Sequence, residues 1–167
     1  MWCKLCYYAG HVEKYTEQQI YKMLTFIVLR ANKGGRVTID VHGKENIPEK
    51  DGFMFFPNHQ GMYDVLAIVE ACSHPFSVVA KKEVENVQFL KQVFKCMKAY
   101  TMDRSDVRQA MKVITAVSKE VENGRNYLIF PEGTRSKNGN HVQEFKGGSF
   151  KAATKAKCPI IPVALID

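Results

Sequence analysis

The sequence predicts an α/β domain: a central mixed sheet flanked by helices, with an apolar helix at the N-terminus. Three observations lead there. Short, continuously apolar segments recur, such as Phe53-Met54-Phe55-Phe56 and Tyr127-Leu128-Ile129-Phe130, the pattern of strands covered on both faces. Stretches of helical period lie between them, so strands and helices alternate. The 167 residues are 46% hydrophobic and 25% charged, a balance that suits one globular domain with a real core and excludes a disordered chain.

The elements follow in order. Thr16, with Gln19 three residues on, has capping-box spacing and opens a helix over residues 16–31. Its apolar residues, from Ile20 and Tyr21 through Met23, Leu24, Phe26, Ile27, Val28 and Leu29, run almost all the way round. Two readings stand: a helix buried in the core, or one lying in a membrane leaflet with Lys22, Arg30, Lys33 and Arg36 at the headgroups. Gly34-Gly35 ends it. Val37, Ile39 and Val41 alternate with Thr38, Asp40 and His42, which predicts a strand.

Residues 53–56 predict a buried strand, 63–72 a helix and 76–80 a strand. Val84, Val87, Leu90, Val93, Phe94 and Met97 recur at steps of three and four, predicting an amphipathic helix over 83–98. A short strand at 99–102 precedes a helix capped by Ser105, with Val107, Ala110, Met111, Ile114, Val117 and Val121 on its apolar stripe and Asn123-Gly124 as its stop. A strand at 127–130, a helix at 146–157 and a strand at 159–166 complete the pattern. Residues 1–36 are thus expected as an N-terminal helical, membrane-associating segment and 37–167 as the main domain. The sequence stops at Asp167 directly after a strand, so that domain is expected to be incomplete at its C-terminus, a sheet edge being a poor place to end.

Charge and cysteine usage narrow the function. Lys and Arg number 24 against 17 Asp and Glu, a net +7. The excess sits in residues 1–50 and 101–167, which favours an anionic partner. No apolar run reaches the length of about 18 residues that a spanning helix needs, and no secretory leader is recognisable. Five cysteines, an odd number, read as free thiols. Cys3-x-x-Cys6 lacks a second ligand pair, so no metal site is expected. Phosphate-loop and dinucleotide fingerprints are missing, as is a G-x-S-x-G nucleophile. The aromatic residues sit in apolar runs and not on a basic face, so no nucleic acid partner is expected.

Polar clusters follow the apolar segments. Asn58-His59-Gln60-Gly61-Met62-Tyr63-Asp64 comes first. In one continuous helix, positions five apart sit about 140° around the axis, so His59 and Asp64 would face apart. If the chain turns at Gly61 and the helix starts after it, the carboxylate can fold back on the imidazole, fix its tautomer and support it as a general base. The plainer alternative is a strand-end histidine and a helix-capping aspartate. Thr101-Met102-Asp103-Arg104 is a weaker cluster. Phe130-Pro131-Glu132-Gly133-Thr134-Arg135-Ser136 ends a strand in a glycine turn, where Arg135 can grip a phosphate bidentately or simply pair with Glu132 on the surface.

In this order the clusters N-H-x-x-x-x-D, D-R and F-P-E-G-T-R-S, followed by Pro159-Ile160-Ile161-Pro162-Val163, resemble the glycerolipid acyltransferase family from about Val37 to Asp167. Three departures are Lys98 where the second cluster usually begins with Gly, Thr101-Met102 where an aromatic–aliphatic pair usually precedes Asp-Arg, and Cys158 in place of an aliphatic residue before Pro159. The resemblance implies a glycerol-phosphate acyltransferase-like fold and an enzyme of phospholipid biosynthesis. It implies that His59 is the general base and that Asp64 orients it. Glu132, Gly133, Thr134 and Arg135, with Arg104, would hold the acceptor's phosphate; Asn58 joins the substrate site from the first cluster. Lys146, beside Gly147-Gly148, is added to that anion site from its charge.

The implied reaction transfers a fatty acyl group from acyl-CoA or acyl carrier protein directly to the hydroxyl of lysophosphatidic acid, giving phosphatidic acid without an acyl-enzyme or cofactor. The implied location is peripheral, on the cytoplasmic face of an anionic membrane, and the resemblance inclines the 16–31 helix toward the leaflet. Acylation of glycerol 3-phosphate or another lysophospholipid, and a non-catalytic module binding anionic lipid, remain the alternatives.

Overall fold

The computed structural model describes residues 1–103 and 106–166. Five strands form one sheet in the order β3-β2-β4-β1-β5: β1 (Met54–Pro57), β2 (Phe76–Lys81), β3 (Tyr100–Met102), β4 (Asn126–Ile129) and β5 (Ile160–Val163). Every pairing is parallel, so the sheet expected to be mixed is a parallel one. The cause is in the connections: a helix crosses over between each strand and the next, which returns the chain in the same direction.

The six helices among the described residues are α1 (Trp2–Gly10), α2 (Glu17–Gly35), α3 (Asp64–Ala71), α4 (Gln88–Cys96), α5 (Val107–Glu122) and α6 (Lys151–Ala156). They form a layer on each side of the sheet. Phe53, Phe55, Phe76, Val78 and Leu128 face α1–α4, whereas Met54, Phe56, Val79 and Tyr127 face α5 and α6. Both faces of β1 are therefore apolar and all four of its residues are buried, which is why the sequence there does not alternate.

Thr16 caps α2 in a capping box with Gln19. The helix runs beyond residue 31 to the Gly34-Gly35 pair, and Arg36 takes the left-handed conformation that ends it. Ile20, Tyr21, Met23, Leu24, Ile27 and Val28 are buried in the same core as Phe53 and Phe55. Burying each such side chain contributes about 1.5–3 kcal/mol. The Tyr21 hydroxyl donates to the Cys72 carbonyl at 3.2 Å, and the Asn32 amide donates to the Glu70 carboxylate. Phe26 and Leu29 remain about half exposed. No helix among the described residues is long and apolar enough to cross a membrane.

Some local expectations are corrected. Residues 37–43 form no strand: alternation selects a face but supplies no neighbour for a ladder, and the Val37 N–H donates instead to Asn32 at the end of α2. Residues 83–98 and 146–157 each divide into a 3-10 turn followed by a shorter helix. Helix α5 is rotated from its expected stripe, with Val113, Val117 and Val121 inward and Val107 and Met111 exposed. Asp106 caps it by accepting from the Gln109 N–H; Ser105, the expected cap, lies outside the described residues.

Candidate active site

The topology creates the crevice. β1 and β4 are adjacent, yet the chain leaves β1 toward α3 on one face and leaves β4 toward α6 on the other. Between two such connections the carboxyl ends of the strands open a cleft, the usual ligand position in an open parallel sheet. The first polar cluster follows β1 and the glycine turn follows β4, so strand order alone brings them together.

Helix α3 begins at Asp64 itself. The chain between Pro57 and Tyr63 is therefore free to turn, and the carboxylate reaches back. Asp64 Oδ2 lies 2.7 Å from His59 Nδ1 and accepts from the Gln60 N–H at 2.7 Å; the Gly61 N–H is 3.0 Å from each carboxylate oxygen. The carboxylate does not cap α3, whose N-cap is Tyr63 with no side-chain cap bond; it gathers the N–H groups of the preceding turn and holds the imidazole. The imidazole stacks on Phe130 with ring centroids 3.8 Å apart and planes at 21°, a contact the sequence reading did not anticipate.

The turn after β4 folds around Pro131. The Gly133 N–H donates to the Phe130 carbonyl at 3.1 Å, and Gly133 sits at φ 75°, a conformation costly for a side chain-bearing residue. A cavity of about 430 Å³ lies against this turn. Its polar lining includes His59, Thr134, Arg135 and Lys81; its apolar lining comes from Val65 and Leu66 of α3, Val78 and Val79 of β2, and Val84, Leu90, Val93 and Phe94 from the 3-10 turn and α4. The imidazole, an arginine and a long apolar recess thus share one space.

Residues 38–166 match the family model described as Acyltransferase. The chain belongs to the acyltransferase family. It is 33% identical over 149 residues to the 1-acyl-sn-glycerol-3-phosphate acyltransferase of Borreliella burgdorferi, covering 86% of this chain and 59% of that protein. With the enzyme of the same name from Salmonella typhimurium it shares 34% over 113 residues, 67% of this chain and 46% of the relative. This chain thus spans roughly half the length of these two relatives. The crystal structure of the 1-acyl-sn-glycerophosphate acyltransferase PlsC from Thermotoga maritima superposes with a TM-score of 0.73 at 23% identity, covering 95% of this chain and 63% of that one; the fold is the same.

In this member of the family the expected site residues are placed unequally. His59, Gly133, Thr134 and Arg135 line the cavity, with Asp64 directly behind His59. Asn58 is buried, its side chain donating to the Leu165 carbonyl at 2.9 Å and accepting the Leu165 N–H at 2.6 Å; it ties β1 to the segment after β5. Glu132 is 2% exposed, and its two carboxylate oxygens accept from the backbone N–H groups of His59 at 2.7 Å and Gln143 at 2.8 Å. The Lys146 side chain is exposed and pairs with Glu144 at 3.5 Å, away from the cavity lining. Arg104 lies outside the described residues.

Lys81 was missed in the sequence. It stands in a Lys81-Lys82 pair after an apolar strand, and only the β2–β4 pairing brings the carboxyl end of β2 beside the glycine turn. Cys72 and Cys96 are buried free thiols. Burial, and then the nearby Cys6, push the Cys96 thiol up to about 11, which suits a core residue and not a nucleophile.

Proposed function

We propose that the chain transfers a fatty acyl group from a thioester, acyl-CoA or acyl carrier protein, to the free hydroxyl of 1-acyl-glycerol 3-phosphate. The observation that carries this reading is the His59–Asp64 pair at 2.7 Å, whose imidazole lines one largely apolar cavity together with Arg135. Each part has a task. With Nδ1 engaged by Asp64, Nε2 of His59 takes the proton of the acceptor hydroxyl, and the carboxylate stabilises the imidazolium that forms. The oxygen attacks the thioester carbonyl, the tetrahedral intermediate collapses, and the thiolate leaves with the proton returned by His59. No acyl-enzyme is required.

Arg135 and Lys81 supply the cations for the acceptor's phosphate. The apolar walls from α3, β2 and α4 accommodate an acyl chain, each buried methylene contributing about 0.8 kcal/mol. The names of the relatives support lysophosphatidate as acceptor. This acceptor resides in a bilayer, so the chain works peripherally at an anionic membrane surface, on its cytoplasmic face. Half-exposed Trp2, Phe26 and Leu29 support that position, with Lys4 and Arg30 over the Phe26 ring.

The test is release of free thiol from palmitoyl-CoA with lysophosphatidate supplied, by the purified chain and by His59→Ala. Lysophosphatidate-dependent release that disappears in the variant is expected. Release with glycerol 3-phosphate alone would redirect the acceptor. Lipid binding without any release would leave a non-catalytic lipid-binding module.

A further inference from the structure

We infer that Glu132 is a positioning residue for the reaction: its carboxylate holds the His59 peptide in place, and the acceptor's phosphate is left to the cations. This inference rests on the reading of His59 as the base. The carboxylate is 2% exposed, and its two oxygens already accept backbone N–H groups, from His59 at 2.7 Å and from Gln143 at 2.8 Å. A carboxylate turned toward a phosphate would repel it and strand two buried donors. The cavity meanwhile offers Arg135 and Lys81.

The grip extends beyond one bond. The loop after β4 also donates the Ser136 N–H to the His59 carbonyl at 2.7 Å, and Phe130 stacks on the ring. Asn140 accepts from the Gln60 side chain at 2.6 Å. The loop that carries Arg135 therefore holds His59 by its N–H, its C=O and its imidazole face, while Asp64 holds Nδ1. Glu132 links the His59 segment to both ends of that loop, since its second oxygen fixes Gln143 at the far end. The phosphate grip and the base are thereby set at one mutual distance, which general-base catalysis requires.

Glu132→Gln separates the two roles. The amide oxygen accepts one N–H, but the amide nitrogen faces the other as donor against donor, so the link between the His59 peptide and the Gln143 end of the loop is broken whichever way the amide turns. A misplacement on the order of 1 Å costs about 10²-fold. The expected result is a fall in kcat of about ten- to a hundredfold, with the lysophosphatidate KM changed by less than about threefold. Circular dichroism verifies the fold, and Glu132→Asp, too short to reach both donors, serves for the same split if the glutamine variant does not fold.

Amide exchange in the unmutated protein is a third measurement: the His59 N–H stays protected when lysophosphatidate binds. An acceptor KM raised tenfold at unchanged kcat, wild-type values of both constants, or loss of that protection on binding would overturn the inference. Undiminished turnover by His59→Ala would instead overturn the underlying acyl-transfer reading.

Discussion

Asp64 reaches His59 because α3 begins at Asp64 and not at His59. The five-residue separation would point the two side chains apart on one helix. The turn through Gln60 and Gly61 removes that obstacle, and its N–H groups converge on the carboxylate that needs partners.

Asp64→Asn is expected to lower turnover about 10²–10⁴-fold, the usual span for disabling a general base. The variant stays folded, because an asparagine oxygen can still accept the turn N–H groups. Single-turnover thiol release with matched circular dichroism spectra checks this; an unchanged rate would reduce Asp64 to an acceptor for the turn N–H groups.

Arg135→Ala is expected to raise the acceptor KM about ten- to a hundredfold, the loss of a charge-assisted contact of roughly 1.5–3 kcal/mol. Lys81→Ala acts in the same direction. Saturation curves in each substrate decide the matter: an effect confined to the thioester contradicts the phosphate role.

Filling the apolar recess is expected to shorten the preferred acyl chain. Val84→Phe and Leu90→Phe add volume where the 3-10 turn and α4 line the cavity. Competition between palmitoyl-CoA and lauroyl-CoA should shift toward the shorter donor. A preference unchanged in both variants would place the acyl chain elsewhere.

At the membrane, the informative substitution is the exposed pair Phe26→Glu, Leu29→Glu, because both side chains stand about half out of the fold. It is expected to leave the circular dichroism spectrum intact and to reduce sedimentation with anionic vesicles. Ile27→Glu, at a position 7% exposed in the core, is expected to unfold the chain. A folded Phe26, Leu29 variant that still pellets fully would sink the membrane assignment of this surface.

The end of the sheet away from the cleft carries a pH dependence. Burial opposes the charge on Glu120, but hydrogen bonds from Tyr127, Tyr100 and Arg125, together with the Arg125 charge, outweigh it and hold the carboxyl below its ordinary 4.5. A lowered folded-state value means stability that is complete above that ordinary value and lost as pH falls through the lower one. Thermal melts at stepped pH should show Glu120→Gln less stable than wild type near neutrality, with the gap narrowing below about pH 4.5. A gap that persists at acid pH would assign the loss to packing.

The sequence alone determined the strand–helix alternation, the capping box at Thr16 and Gln19, and the two clusters that carry His59, Asp64 and Arg135. These are local properties: periodicity, turn chemistry and motif order act over a few residues. It could not decide whether Ile20 to Val28 face core or lipid, since an almost uniformly apolar helix satisfies either solvent. Nor could it show that residues 37–43 lack a strand partner, because alternation is silent about neighbours. Tertiary structure decided those points, and it made the sheet parallel through its crossovers. It also placed Lys81 and Arg135 on one cavity and turned Glu132 inward, because both outcomes depend on which strands lie side by side and on which backbone donors are left needing an acceptor.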